Sequence, residues 1–211
     1  ARCLVATLPA SVTPRAGIGD RGRSAKKMPH TLNIDGVSES LFLMQSLVHG
    51  SKTFCEKHKI KWGEESGQEF EWEYYFGWLK TTLCEHLIRS SITLRMFQDI
   101  LKGYDQEGLD LDAHQMAAID GLTLGVVHEG TFKLTLREAF NKIIHATDTQ
   151  LDWNEETDFQ WWSGRVWLLG NNRGAEWKLE LDVEVFAIAT NRLIDSLGGD
   201  VDWHHLYKYD T

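Results

Sequence analysis

The chain has 211 residues, of which 42% are apolar and 25% charged, a composition that fits one sizeable packed globule and excludes a fibrous or disordered chain. Its formal charge is −9, but residues 1–27 set Arg2, Arg15, Arg21, Arg23, Lys26 and Lys27 against Asp20 alone, a net of +5 that leaves −14 on the rest. So acidic a body excludes broad duplex-DNA binding, which needs phosphates neutralised by Lys and Arg, and no apolar run approaches the ~18 residues of a membrane span.

Residues 1–27 show no apolar period and hold two of the three prolines. Their Arg-rich, acid-poor composition resembles a transit peptide. The preferred expectation is a disordered leader or upstream extension, with the natural start at Met28 and a single domain over 28–211. From Val37 a helical period appears, with Val37, Leu41, Met44, Val48 and Cys55 on one face, Ser38 as N-cap and an end near Lys59. A longer helix is expected from about Gln68 to Lys102, its apolar stripe running through Trp72, Phe76, Leu79, Leu83, Leu94, Phe97 and Leu101. Asp112 and Gln115 have the chemistry of a capping box for a third helix. The sequence leaves residues 121–134 open between helix and short strands. Thr135 and Glu138 form a second capping box, opening a helix through Phe140, Ile143 and Ile144.

A polar loop is expected from Asp148 to Asp158, after which the period becomes two. Trp177, Leu179, Leu181 and Val183 alternate with Glu176, Lys178, Glu180 and Asp182, the pattern of a strand with one wet face. It pairs with Trp161–Leu169 across residues 170–174, where Asn and Gly tolerate positive φ. Asp182 caps a last helix through Phe186, Ala189, Leu193 and Leu197, and the aromatic tail after Val201 packs back. The expected class is α+β and helix-dominated: a helical bundle with one late antiparallel β-hairpin.

Cys3, Cys55 and Cys84 follow neither metal-ligand nor disulfide-framework spacing, which fits a reducing, cytoplasmic setting with Cys55 and Cys84 as small buried hydrophobes. Gly-rich phosphate loops, dinucleotide fingerprints, zinc-binding His-Glu-x-x-His and nucleophile-elbow serines are all absent, so no cofactor is expected. Paired His and acid residues occur at Glu85-His86, His128-Glu129 and His204-His205. Neighbours on a helix diverge by about 100° and cannot chelate one ion without help, so no metal is expected either. His86 falls on the apolar stripe of its helix and reads as a hydrogen-bonded core histidine, with Glu85 and Arg89 as an i,i+4 pair. Nine tryptophans is a high count, and Trp161, Trp162 and Trp167 put aromatics on both faces of the first hairpin strand. Core packing or a protein interface is favoured over base stacking, because the flanking charge is acidic.

One helix carries a catalytic candidate. Arg137, Asn141 and His145 stand four apart on a single polar stripe, while Phe140, Ile143 and Ile144 face inward. A cation, an amide and an imidazole in a row can bind a phosphodiester and move a proton. Asn141-Lys142-Ile143-Ile144-His145 resembles the signature helix of HEPN-type helical ribonucleases of bacterial defence and toxin systems. The resemblance implies a metal-independent RNase site in which an Arg holds the scissile phosphate, a His transfers protons, and two such helices face each other across a homodimer. Phe140 stands where that family has its Arg, and Arg137 lies eight residues before His145 instead of about six. The structural alternative for the same residues is an ion pair of Glu138 with Lys142 and a His opposing the helix dipole. Two functions are thus expected of a bacterial cytoplasmic protein: a HEPN-like ribonuclease or inactive relative acting on RNA through Arg137, Asn141 and His145, or a non-enzymatic acidic, aromatic module that binds a protein partner.

Overall fold

The computed structural model describes residues 32–63, 71–103 and 108–203. The leader 1–27, the helix start expected near Gln68 and the tail from His204 onward lie outside these residues. Helix α1 spans Ile34–His58. It begins one turn before the apolar period does, because Asn33, not Ser38, is the cap: its Oδ1 accepts the Gly36 N–H at 2.8 Å. Lys59 ends it in the left-handed conformation, at φ 50°. Helix α2, Trp72–Lys102, runs antiparallel to α1, with Ser51 against Tyr75 at one end and Ser40 against His86 farther along.

Short helix α3, Leu111–Ala118, is capped by Asp110, whose Oδ1 accepts from the Ala113 N–H at 3.0 Å. The expected box is displaced by two residues. Asp112 instead accepts from the Gln115 side chain within the helix. Helix α4, Leu136–His145, opens as expected, with Thr135 Oγ1 accepting from the Glu138 N–H at 3.2 Å. Helix α5, Val183–Asp200, is capped by Asp182, as expected.

The sheet departs most from expectation. Strand β3, Gln160–Asn172, and strand β4, Ala175–Asp182, form the expected hairpin, in register from Arg165 opposite Asp182 to Asn172 opposite Ala175. Its turn is tighter than the expected 170–174: Gly170, Asn171 and Asn172 continue β3 opposite Trp177, Glu176 and Ala175, and only Arg173-Gly174 turns, both at positive φ (53° and 88°), the backbone that a two-residue turn of primed type requires. The hairpin is not a lone appendage on a bundle. It is the middle of a four-stranded antiparallel sheet of order β1-β4-β3-β2, with β1 at Gly125–Glu129 and β2 at Asp148–Glu155. Strand β2 occupies the stretch expected as a polar loop. Thr149, Leu151 and Trp153 turn inward opposite Leu168, Val166 and Trp162, while the alternate polar residues turn out. Two extra strands satisfy the hairpin's edges, which a two-stranded ribbon cannot do for itself.

The helices cover one face of this sheet. Val166, Leu168, Trp177, Leu179 and Leu181 point into a core shared with Leu41 and Met44 of α1, Leu83 and Leu87 of α2, Leu136 and Phe140 of α4, and Phe186 and Leu193 of α5. The other face carries Arg165, Trp167, Lys178 and Glu180. There Arg165 Nη1 and His128 Nε2 meet the two carboxylate oxygens of Glu180 at 2.8 and 2.9 Å. Among the described residues, no helix is long and apolar enough to cross a membrane.

Candidate functional site

Helix α4 is amphipathic, and its inward residues fix which way the polar row faces. Leu136, Ala139, Phe140 and Ile143 are buried. Phe140 meets Phe186 edge to face, with ring centroids 5.8 Å apart. Rotating 100° per residue away from them leaves Arg137 and Asn141 on the flank toward α2, and His145 at the exposed last turn.

The structure brings Arg137 and Asn141 together, but through α2. Arg137 donates from Nη1 to Gln98 Oε1 at 3.1 Å and from Nη2 to Asp99 Oδ1 at 2.7 Å. Asn141 Oδ1 accepts from Arg95 Nε at 2.9 Å, and its Nδ2 donates to Glu138 Oε2 at 3.2 Å. Arg95 is also paired with Asp99, one turn along α2. The result is a five-member lattice in which Arg95, Asp99, Arg137, Asn141 and Glu138 each touch at least one other. Burial alone would raise the Asp99 carboxyl, but the hydrogen bonds and positive charges of Arg95 and Arg137 outweigh it and hold it below its ordinary value. His145 stands apart from this lattice, and its imidazole makes no hydrogen bond or ion pair among the described residues.

Lys142, expected only as a surface partner of Glu138, has a second role. It keeps that ion pair at 3.4 Å, yet its side chain is buried between aromatic rings. Its Nζ lies 4.0 Å from the centroid of Phe132 and 4.4 Å from that of Trp177. An ammonium between two π faces is stabilised by both quadrupoles, so Lys142 ties α4 to β4.

Sequence reasoning missed the α2 half of this arrangement. Arg95 and Asp99 are an i,i+4 pair of opposite sign on a helix already recognised, and that spacing was the available signal. It also missed the outward side of α2, where Tyr74 is 57%, Trp78 60%, Ile88 45% and Ile92 41% exposed. Their spacing is readable in the chain, but it was hidden behind the stronger core stripe. Trp78 borders a groove of about 310 Å³ between α1 and α2, lined also by Leu47, Gly50, Phe54, Tyr75 and Leu79.

The remaining candidates fall as follows. His86 Nδ1 lies 3.1 Å from Ser40 Oγ, as expected of a packed histidine. Glu85 and Arg89, expected as a pair, form no ion pair among the described residues. No group of three His, Cys, Asp or Glu able to hold a metal occurs among the described residues, and His204-His205 lies outside them. Cys55 is fully buried and Cys84 partly so. Burial pushes both thiols up, the opposite of the depressed pKa that a nucleophilic cysteine needs. Comparison of the chain with protein-family models, with curated proteins and with solved structures finds no match.

Proposed function

We propose that this chain is a non-enzymatic, cytoplasmic protein-binding module, in which the Arg137–Asn141 row is a helix clamp and the outer side of α2 is the binding surface. One observation carries the reading. The Nη1 and Nη2 ends of the Arg137 guanidinium are turned to Gln98 and Asp99, and the carboxylate at that spot would repel a phosphodiester. Large apolar side chains of α2 meanwhile face solvent in one stripe, the usual mark of an interaction surface when contiguous.

A metal-independent ribonuclease is the second reading, favoured by the exposed, unengaged imidazole of His145 at the end of the same row. In that reading Arg137 would have to exchange Asp99 for the scissile phosphate while His145 moved the proton of the attacking hydroxyl. The two are separated by incubating the purified chain with a mixed RNA pool, with and without EDTA, beside His145→Ala and with thermal melts of both. The module reading expects no cleavage by either protein. Cleavage by the wild type that persists in EDTA and disappears in a normally folded His145→Ala variant would replace it with the nuclease.

A further inference from the structure

Helix α2 carries two apolar faces of different period. The inward one drives packing on the sheet. The outward one runs Glu71, Tyr74, Trp78, Thr81, Glu85, Ile88 and Ile92, in alternating steps of three and four. Steps of four and three average 3.5, the repeat of a helix that packs along its length against another helix. From Tyr74 to Ile92 the stripe is about 27 Å long at 1.5 Å per residue. Tyr74 and Trp78 fill one end of it, with ring centroids 5.8 Å apart, and Ile88 and Ile92 fill the other. Among the described residues no element covers it, since α1 and α4 flank α2 on either side.

We infer that the occupant of this face is α2 of a second copy, packed antiparallel about a two-fold axis near Leu83. The inference rests on the module reading and names its partner. The stripe is complementary to itself only in that orientation. An axis at Leu83 sets Tyr74 opposite Ile92, Trp78 opposite Ile88 and Thr81 opposite Glu85, so each aromatic meets an aliphatic and each central carboxylate meets a hydroxyl. The same operation brings the acidic end of α2, with Glu71 and Glu73, toward the end that carries Arg89. Glu71, Glu73, Glu85 and Arg89 make no ion pair among the described residues, so these charges are available. Parallel pairing would instead set Glu71 on Glu71 and Glu85 on Glu85, which like-charge repulsion opposes. Antiparallel pairing also aligns the helix dipoles favourably. The groove beside Trp78 receives Ile88 of the second copy. The contact is isologous, so it closes at two copies and does not propagate.

A seam of this length sits near the lower end of stable interfaces, about 1,200 Å² in total, so dissociation is expected in the micromolar range. Sedimentation velocity of the full chain, from below micromolar to hundreds of micromolar, should show a reversible monomer–dimer equilibrium that weakens in high salt. Ile88→Glu should abolish the dimer with an unchanged thermal melt at low concentration, because Ile88 makes no core contact to lose. Val126→Glu, on an exposed residue of the sheet edge, should leave it intact. Glu71→Lys combined with Glu73→Lys should weaken it at least several-fold. A wild type that stays monomeric throughout, a dimer that survives Ile88→Glu, or open-ended oligomers would each overturn the inference. None of these outcomes touches the module reading, which falls only to RNA cleavage.

Discussion

Arg137 and its partner Asp99 show how a polar row that suits phosphate chemistry can serve packing. Nη1 and Nη2 of Arg137 donate to different α2 residues, so a planar fork is matched to two acceptors one residue apart. An ammonium reaches only one of them. Arg137→Ala should therefore lower unfolding stability by about 1 kcal/mol, a figure kept small because Asp99 is 55% exposed and screened by solvent. Arg137→Lys should recover less than half of that loss in urea titrations. Asp99 is held below its ordinary value of 3.8 in the folded state, so its contribution is complete above the unfolded pKa and disappears as pH falls through the folded one. The stability gap between wild type and Asp99→Asn should thus be constant near neutrality and close on acidification below about pH 4. Ser90 makes the opposite case. Its hydroxyl is buried in α2 and has no hydrogen-bond partner among the described residues, and a buried unsatisfied hydroxyl costs about 1–3 kcal/mol. Ser90→Ala should stabilise the protein by about 1 kcal/mol, helped by the better helix propensity of Ala; a destabilised variant would mean that the hydroxyl has a partner.

Among the elements, the β3–β4 hairpin is held by a contact its alternation does not announce. Gly170 lies opposite Trp177 in the register, and the indole folds across it so closely that a Cβ at Gly170 would sit 2.2 Å from the ring. The glycine is there to let the tryptophan lie flat, and that position places the ring over Lys142. Trp177 is buried, 4% exposed, as its place on the apolar face of β4 predicted. Trp177→Ala should cost about 3–5 kcal/mol. Gly170→Ala, a change of one methyl, should cost about 1–3 kcal/mol by overpacking, and equilibrium denaturation of the two variants checks both. A neutral Gly170→Ala would show that the ring can move aside, and with it the α4–β4 tie through Lys142.

At the scale of the whole molecule, one core joins the sheet to α1, α2, α4 and α5, with a smaller cluster of Cys55, Ile60 and Phe159 where α1 ends. Such sharing makes it hard to lose the helices without the sheet. Far-UV circular dichroism, weighted to the helices, and tryptophan fluorescence, to which the sheet contributes Trp153, Trp161, Trp162, Trp167 and Trp177, should therefore report one coincident unfolding transition. Separate midpoints would mean that the hairpin unfolds independently of the helical layer.

Local chemistry was legible in the sequence wherever one residue type decides the outcome. The α5 cap at Asp182, the α4 cap at Thr135 and the alternation through Trp177 each rest on contacts a few residues apart, and each stands in the structure where the sequence puts it. Strand β2 was not legible, since Asp148, Gln150, Asp152 and Asn154 read as a loop until β3 lies alongside and turns Leu151 and Trp153 inward. For the candidate site, the sequence determined that Arg137, Asn141 and His145 share one helical stripe, because 3.6 residues per turn leaves no other arrangement. Only the tertiary structure decided what that stripe faces. The packing of α4 against α2 sets Gln98 and Asp99 within reach of Arg137 and Arg95 within reach of Asn141, while His145, one turn farther on, is left in solvent. Helical spacing is a property of the chain alone; the acceptor opposite a guanidinium depends on residues almost forty positions away.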